Sequence, residues 1–271
     1  MKQLEQALKL KYPPFAIFYA QEVPEGVKMP NFVCSMMLIA QVAKGKTVAM
    51  SKDSCRCPGA GVGFGLTKMD IEDFPGGAEC YFRFLSSGNA DWEHGRNIIA
   101  QLQAEKSPSI PVEEFIEGEG FYKTPELARE WLENLPENKP EGPYIIMKPL
   151  RDLAENETPK VVSFLVNPDQ LSALIVLANY DRKGVDAVRI PHGAGCNNFG
   201  QYAFEEADRE APRAIVGLND ISARYYLGKP LGRDIVSFTV PFAMYEEMES
   251  NAGESFLSRH TWKAMMAENK S

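Results

Sequence analysis

The chain has 271 residues, enough for one large core or two modest ones. Hydrophobic residues make up 44% and charged residues 24%, the balance of a globular protein and not of a disordered or fibrous one. The formal net charge is −8, and no dense basic patch relieves it, so the chain should repel phosphate backbones and nucleic acid is excluded as an expected partner.

The opening segment is interrupted by Glu5, Lys9 and Lys11 and lacks the apolar core of a signal peptide. No apolar run reaches the length of a membrane span. A cytoplasmic location is expected, where thiols stay reduced. The five cysteines are therefore read as buried thiols, metal ligands or reactive groups, and not as a disulfide framework.

In chain order, residues 2–10 suit a short amphipathic helix that stops before Pro13 and Pro14. Phe15 to Tyr19 has strand length, and 24–30 reads as loop. Cys34 to Ala43 is apolar on most sides, as a buried helix would be, and Lys44-Gly45 ends it. Thr47 to Ser51 is a predicted strand, followed by a glycine-rich loop over 53–65. Cys80 to Leu85 has strand character, and Trp92 to Glu105 has helical spacing. Thr124 followed by Pro125 is an N-cap and first helical position. Residues 134–142, polar with two prolines, form the expected joint between a first half, 1–133, and a second half, 143–271. In the second half strands are predicted over 144–147, 161–166, 185–190, 214–217 and 235–240. Helices are predicted over 168–179, 220–227, 242–250 and 255–267, and a second glycine-rich loop over 191–200.

The two halves share an order: helix, Lys-Gly stop, strand, glycine loop, cysteine. Leu38 matches Leu177, Lys44-Gly45 matches Lys183-Gly184, Cys57 matches Cys196 and Gly61 matches Gly200. The expected fold is α/β, two related halves forming a pseudo-twofold domain in which the halves can intertwine, with Cys57 and Cys196 in equivalent places.

Cys34, Cys55, Cys57 and Cys196 are the candidate metal ligands, because thiolates bind soft metals and iron–sulfur clusters. Taken alone, Cys34 reads as a core thiol, and Cys80, in its aromatic segment, as structural. Cys57 and Cys196, both in glycine loops, read as functional, and Gly59 and Gly61 would let a bound group approach the backbone. His192 stands four residues before Cys196 and is a candidate ligand or general base for a thiolate; a solvated histidine is the commoner outcome in a loop. Asp220 and Arg224 fit a helix i,i+4 pair, or Arg224 could join a helix start in holding an anion. The glycines of 59–65 do not satisfy the dinucleotide pattern, and Gly45-Lys46-Thr47 lacks the first glycine of a phosphate loop.

The run Pro14 to Phe18 with Val23 to Val27, Cys34 at a helix start, Cys55-Arg56-Cys57-Pro58-Gly59-Ala60 with Gly63 to Leu66, Gly195-Cys196, and Gly217 to Arg224 together resemble the domain-of-unknown-function family 169, an archaeal cysteine-rich family of anaerobes. The resemblance covers most of the chain. It implies ligand cysteines at Cys34, Cys57 and Cys196 and a further Gly-Cys-x-Gly-Ser-Arg motif. This chain departs from that motif, having Gly217-Leu218-Asn219-Asp220 with Arg224 downstream and no cysteine. Either Cys55 takes the missing place or three thiolates hold a cluster with one open iron. The expected function is a thiolate-ligated metal or iron–sulfur protein of anaerobic metabolism acting on a small molecule by redox or Lewis-acid chemistry. The alternative is a metal-free small-molecule binder or cysteine nucleophile, with Cys57, Cys196 and His192 as the candidate catalytic groups.

Overall fold

The computed structural model describes residues 3–29, 34–55, 57–67, 71, 74–105 and 110–268. Arg56, inside the Cys55–Cys57 run, and Pro30, the end of the expected loop 24–30, lie outside the described residues.

Seven strands form one sheet: β1 (Phe15–Ala20), β2 (Val48–Ser51), β3 (Tyr144–Pro149), β4 (Val161–Val166), β5 (Val188–Arg189), β6 (Ala214–Gly217) and β7 (Val236–Pro241). Their order is β2-β3-β1-β4-β7-β6-β5. Every pairing is antiparallel except β5 with β6. The α/β class and the predicted strands of the second half are present, although β5 is only two residues long.

The repeated order recurs locally. The helix Ser35–Val42, β2 and Cys57 follow one another as do the helix Pro168–Ala178, β5 and Cys196. The sheet itself does not display a twofold. β2 and β5 are its two edges, yet β2 runs antiparallel to its neighbour and β5 parallel. Among the described residues the first half supplies two strands and the second five, and β3 lies between β2 and β1.

The chain divides into two compact units, Met1–Lys68 with Glu137–Ser271, and Met69–Pro136. The polar joint expected over 134–142 lies where the chain returns from the second unit to the first. The whole sheet belongs to the first unit.

Alternation along the strands gives the sheet two different faces. Ala16, Phe18, Ile146, Val162, Phe164, Val166, Val216, Phe238 and Val240 point to one side. There they meet Leu4 and Leu8 of the first helix, Leu174 and Leu177 of Pro168–Ala178, Met244 and Met248 of Phe242–Asn251, and Trp262 of His260–Glu268. Helix Pro168–Ala178 starts where the sequence dictates: Asn167 accepts from the Gln170 amide, the Gln170 side chain returns to the Asn167 amide, and Pro168 takes the first turn. The opposite face carries Phe15, which meets the Phe199 ring, together with the buried polar residues Ser163, Ser237 and Thr239. Ser163 and Thr239 bond each other at 2.8 Å across β4 and β7. The cysteine loops lie on this second face, since Phe199 follows Cys196 closely in the chain.

Among the described residues the second unit is helical throughout. Cys80 to Leu85 is therefore a correction: the segment is the helix Gly77–Phe84. Its β-favouring aromatics find no strand to pair with. They pack instead as a cluster of Phe74, Tyr81, Phe84 and Phe115 around the fully buried Cys80. Thr124 caps the helix Pro125–Glu133 as its sequence requires. No helix among the described residues is long and apolar enough to cross a membrane.

A buried charge network fixes the helix Tyr202–Ala207, which continues the Cys196 segment. Glu206 is fully buried, and its carboxylate receives Arg189 at 2.6 Å and Arg213 at 2.9 Å. Burial pushes its pKa up, but the Arg213 and Arg189 hydrogen bonds outweigh burial and leave it below the ordinary 4.5. The stabilisation is therefore complete above about pH 4.5 and lost as pH falls through the lower folded-state value. Glu206→Gln should cost about 3 kcal/mol at pH 7, as expected when one partner of a buried ion pair is removed. Urea unfolding at pH 7 and pH 3 checks this: the gap between the two proteins should shrink at the lower pH.

Candidate functional site

Four elements of the first unit bring the site together. Cys34 precedes the helix Ser35–Val42 as its N-cap and is exposed. Cys55 ends the turn after β2, where the Ser51 and Ser54 side chains and amides bond one another, and it is buried. Cys57 caps the short helix Pro58–Gly63, and its carbonyl accepts from the Ala60 and Gly61 amides at 3.1 Å. Cys196 is buried and opens a π-helical turn, Asn197–Gln201, that runs on into Tyr202–Ala207. Both expected glycine loops are thus partly helical. A π-turn is rare and concentrates at functional sites.

The two cysteine segments cross at glycines. A Cβ on Gly63 would lie 2.8 Å from the Cys196 carbonyl carbon, and one on Gly200 would collide with the Gly63 carbonyl oxygen. At this crossing the Cys196 thiol donates to the Gly59 carbonyl at 3.0 Å. Gly59 faces two sulfurs at once: the position of its missing Cβ is 3.8 Å from Cys196 Sγ and 4.0 Å from Cys57 Sγ. Gly61 behaves differently, being closed by Thr67, whose Oγ1 would stand 2.6 Å from its Cβ. The Cys55 thiol points to the Cys57 carbonyl at 3.8 Å.

The four thiols are electrostatically unequal. Cys34 and Cys57 share a hydrogen bond that holds Cys57 down, to about 6. Burial opposes this shift, and the Ala60 and Gly59 amides reinforce it. The same bond, with burial and the Cys57 charge, pushes Cys34 far up. Burial and the Cys57 charge raise Cys55 to about 11. Burial, then Cys57 and then Asp220, raise Cys196 well above the ordinary thiol range. Of the four thiols, Cys57 is the one whose ionisation its surroundings favour, with the exposed Cys34 beside it.

Asp220 is the residue whose role the sequence left unseen. It caps the helix Ile221–Leu231, accepting from the Ala223 amide at 2.6 Å, and it is buried. Burial raises its pKa, while the Ala223 and Gly195 amides and the His192 charge pull it back. The expected pair with Arg224 is not formed. The Arg224 guanidinium donates to the carbonyls of Leu218, Ile235 and Arg233, bracing a turn in which Leu218 holds a left-handed φ of 60°. Arg224 thus holds backbone and is committed away from an anion. His192 is exposed on the approach to Cys196. The one available sequence signal for Asp220 was its suitability as an N-cap.

Among the described residues, Ser35 Oγ, Asn198 Oδ1, Asp220 Oδ2 and Ser237 Oγ are buried side-chain atoms with no hydrogen-bond partner. Ser35 adjoins Cys34, and Asn198 and Ser237 flank Gly217. Among the described residues no group of three or more His, Cys, Asp or Glu side chains is arranged to hold a metal ion. Beside Cys55, an open cleft of about 690 Å³ is lined by Ser51, Lys52, Ser54, Leu66 and Tyr144 among others.

The chain is a mixed α/β protein in which the Cys57 and Cys196 segments meet at Gly59, on the side of the sheet that carries buried hydroxyls. The chain belongs to the DUF169 family, described as uncharacterised ArCR, whose profile matches residues 3–251. No curated protein and no solved structure matches it.

Two measurements test this geometry. The alkylation rate of Cys57 by iodoacetamide, followed against pH by peptide mass spectrometry, should titrate near 6, and Cys34→Ala should move that midpoint up toward 9. Gly→Ala in a helix ordinarily gains stability. Gly200→Ala should instead lose about 1–3 kcal/mol in urea unfolding, because the methyl meets backbone.

Proposed function

We propose that the protein works through a thiol–thiolate pair, with Cys57 as the reacting sulfur and Cys34 as its partner, on a small molecule. What supports this reading is the proximity of the Cys34 and Cys57 side chains, which pulls Cys57 below the ordinary thiol value, together with the exposure of Cys34 to solvent. A thiolate is the nucleophile in thiol chemistry, and a neighbouring thiol both stabilises it and can resolve a covalent intermediate. Cys196 and Cys55, raised by burial and by the Cys57 charge, remain neutral thiols around it.

A second reading retains the sulfurs and adds a soft metal or an iron–sulfur cluster on Cys34, Cys57 and Cys196, with Cys55 as a fourth ligand. What favours it is the meeting of Cys57 and Cys196 over Gly59, where the missing side chain leaves the sulfurs room. The donor set is chemically suited to such a group. Its described arrangement is not that of a three-ligand site, so the sulfurs would have to draw together. When bound, the group would supply electron transfer or Lewis acidity. The family membership favours neither reading over the other.

One experiment separates them. The protein is purified without oxygen, its visible spectrum recorded and its iron, zinc and acid-labile sulfide counted, and the same sample is treated with iodoacetamide at pH 7. A colourless, metal-free protein that is alkylated fastest at Cys57 supports the thiol pair. A brown protein with iron and sulfide, bleached by Cys57→Ala or Cys196→Ala, establishes the cluster instead. A metal-free protein in which no cysteine reacts faster than a free thiol removes both readings.

A further inference from the structure

The open cleft of about 690 Å³ is lined entirely by residues of the first unit. Its size is that of a small-molecule site. Two braced segments line it. One is the turn after β2, which is closed on itself: Ser54 Oγ accepts from the Ser51 amide at 2.8 Å, and Ser51 Oγ accepts from the Ser54 amide at 3.3 Å. The other is the entry to β3, through Pro140, Gly142 and Pro143. Gly142 lies so close to β1 that a Cβ on it would stand 2.5 Å from the Ala20 carbonyl oxygen, and Gln21 Nε2 donates to the Glu141 carbonyl at 2.8 Å. The two segments join at the sheet, where Ser51 is paired with Tyr144. Both walls are therefore set before any ligand arrives, which spares a ligand the cost of ordering them.

The turn holds out two charges of opposite sign. Lys52 and Asp53 are its exposed corners, and they are the one cation and the one anion among the described lining residues. Among the described residues neither side chain has a hydrogen-bond or ion-pair partner, and they do not pair with each other. The nearby acid Glu141 is taken by Lys160 at 2.6 Å. A lone carboxylate in this cleft would meet Asp53 as well as Lys52, and a lone ammonium would meet Lys52 as well as Asp53. A ligand that carries both charges on neighbouring atoms satisfies both residues at once. Met29, Leu66 and the two prolines give the cleft apolar wall, and the half-buried Tyr144 adds a ring.

We propose that this cleft binds a small zwitterion, an α-amino acid with a bulky apolar side chain. Its carboxylate meets Lys52, its ammonium meets Asp53, and its side chain lies against Tyr144 and the proline wall. The binding is non-covalent and stands whichever reading of the cysteines holds. The ligand would lie alongside the cysteine segment, because Ser54 precedes Cys55, and the Leu66 amide donates at 2.9 Å to the Gly61 carbonyl in the helix that Cys57 caps.

The test compares three probes that share one ring: L-phenylalanine, 3-phenylpropionate, which lacks the ammonium, and 2-phenylethylammonium, which lacks the carboxylate. Each is titrated into the full-length protein at pH 7 and fixed ionic strength while backbone amide shifts are followed by NMR. Phenylalanine is expected to shift the amides of Lys52, Asp53 and Tyr144. It should bind at least about threefold tighter than either analogue, the worth of one solvent-exposed ion pair. In Lys52→Gln the margin over 2-phenylethylammonium should vanish, and in Asp53→Asn the margin over 3-phenylpropionate should vanish. Both positions are exposed turn corners, so the substitutions leave the fold intact, and unchanged amide shifts elsewhere check this. Three results overturn the amino-acid site: an analogue that binds as tightly as phenylalanine, a phenylalanine margin that survives both substitutions, or no shift at these amides with about 10 mM phenylalanine. Each is separate from the fate of the thiol pair, which iodoacetamide reads on its own.

Discussion

The site depends on one close backbone approach. Helix Pro58–Gly63 and the π-turn after Cys196 cross where Gly63 meets the Cys196 main chain and Gly200 meets the Gly63 carbonyl. Side chains at either glycine would force the segments apart, and with them Cys57, Gly59 and Cys196. The extra residue that a π-turn accommodates is located at this crossing, and Glu206 with its arginines anchors the helix that continues it. The crossing is thus held from two sides: by the absence of Cβ atoms in the middle and by a buried ion network at the end.

Bringing several thiols together imposes an electrostatic order on them. Like charges close together in a poorly solvated place cannot all ionise, so the first thiolate raises the pKa of the others. Cys57 becomes that thiolate because it receives the Cys34 hydrogen bond and the Ala60 and Gly59 amides. Cys196 has burial against it, and the Cys57 and Asp220 charges besides. Cys80, alone in the helical second unit, is raised to about 11 by burial and the Glu79 charge, and it joins none of this.

The two faces of the sheet divide the work. The first is an apolar surface sealed by four helices, and its residues supply most of the first unit's core. The second tolerates Ser163, Ser237 and Thr239 under the cysteine loops. Buried hydroxyls are costly unless partnered. Ser163 and Thr239 partner each other, whereas Ser237 does not, so the polarity is resolved away from the site and left open beneath it.

By itself the sequence determined what depends on neighbours along the chain. The strands are runs of β-branched and aromatic residues, the caps at Thr124 and Asn167 bond within one turn, and the glycine-to-cysteine pattern of each half is a local motif. The correspondence of Cys57 with Cys196 was visible for the same reason. The rest was decided by contacts between segments far apart in the chain. Cys80 to Leu85 reads as strand by composition, yet it is helix because its unit offers no strand partner among the described residues. Taken alone Cys34 reads as core, yet it is exposed because its helix buries most of the residues after it and leaves the cap outside. Asp220 and Arg224 fit a helical ion pair, but the amide of Ala223 claims one and three carbonyls claim the other. A likeness between two halves fixes which residues correspond and says nothing of how strands pair. That was set by the edges of the sheet, where β2 meets β3 antiparallel and β5 meets β6 parallel.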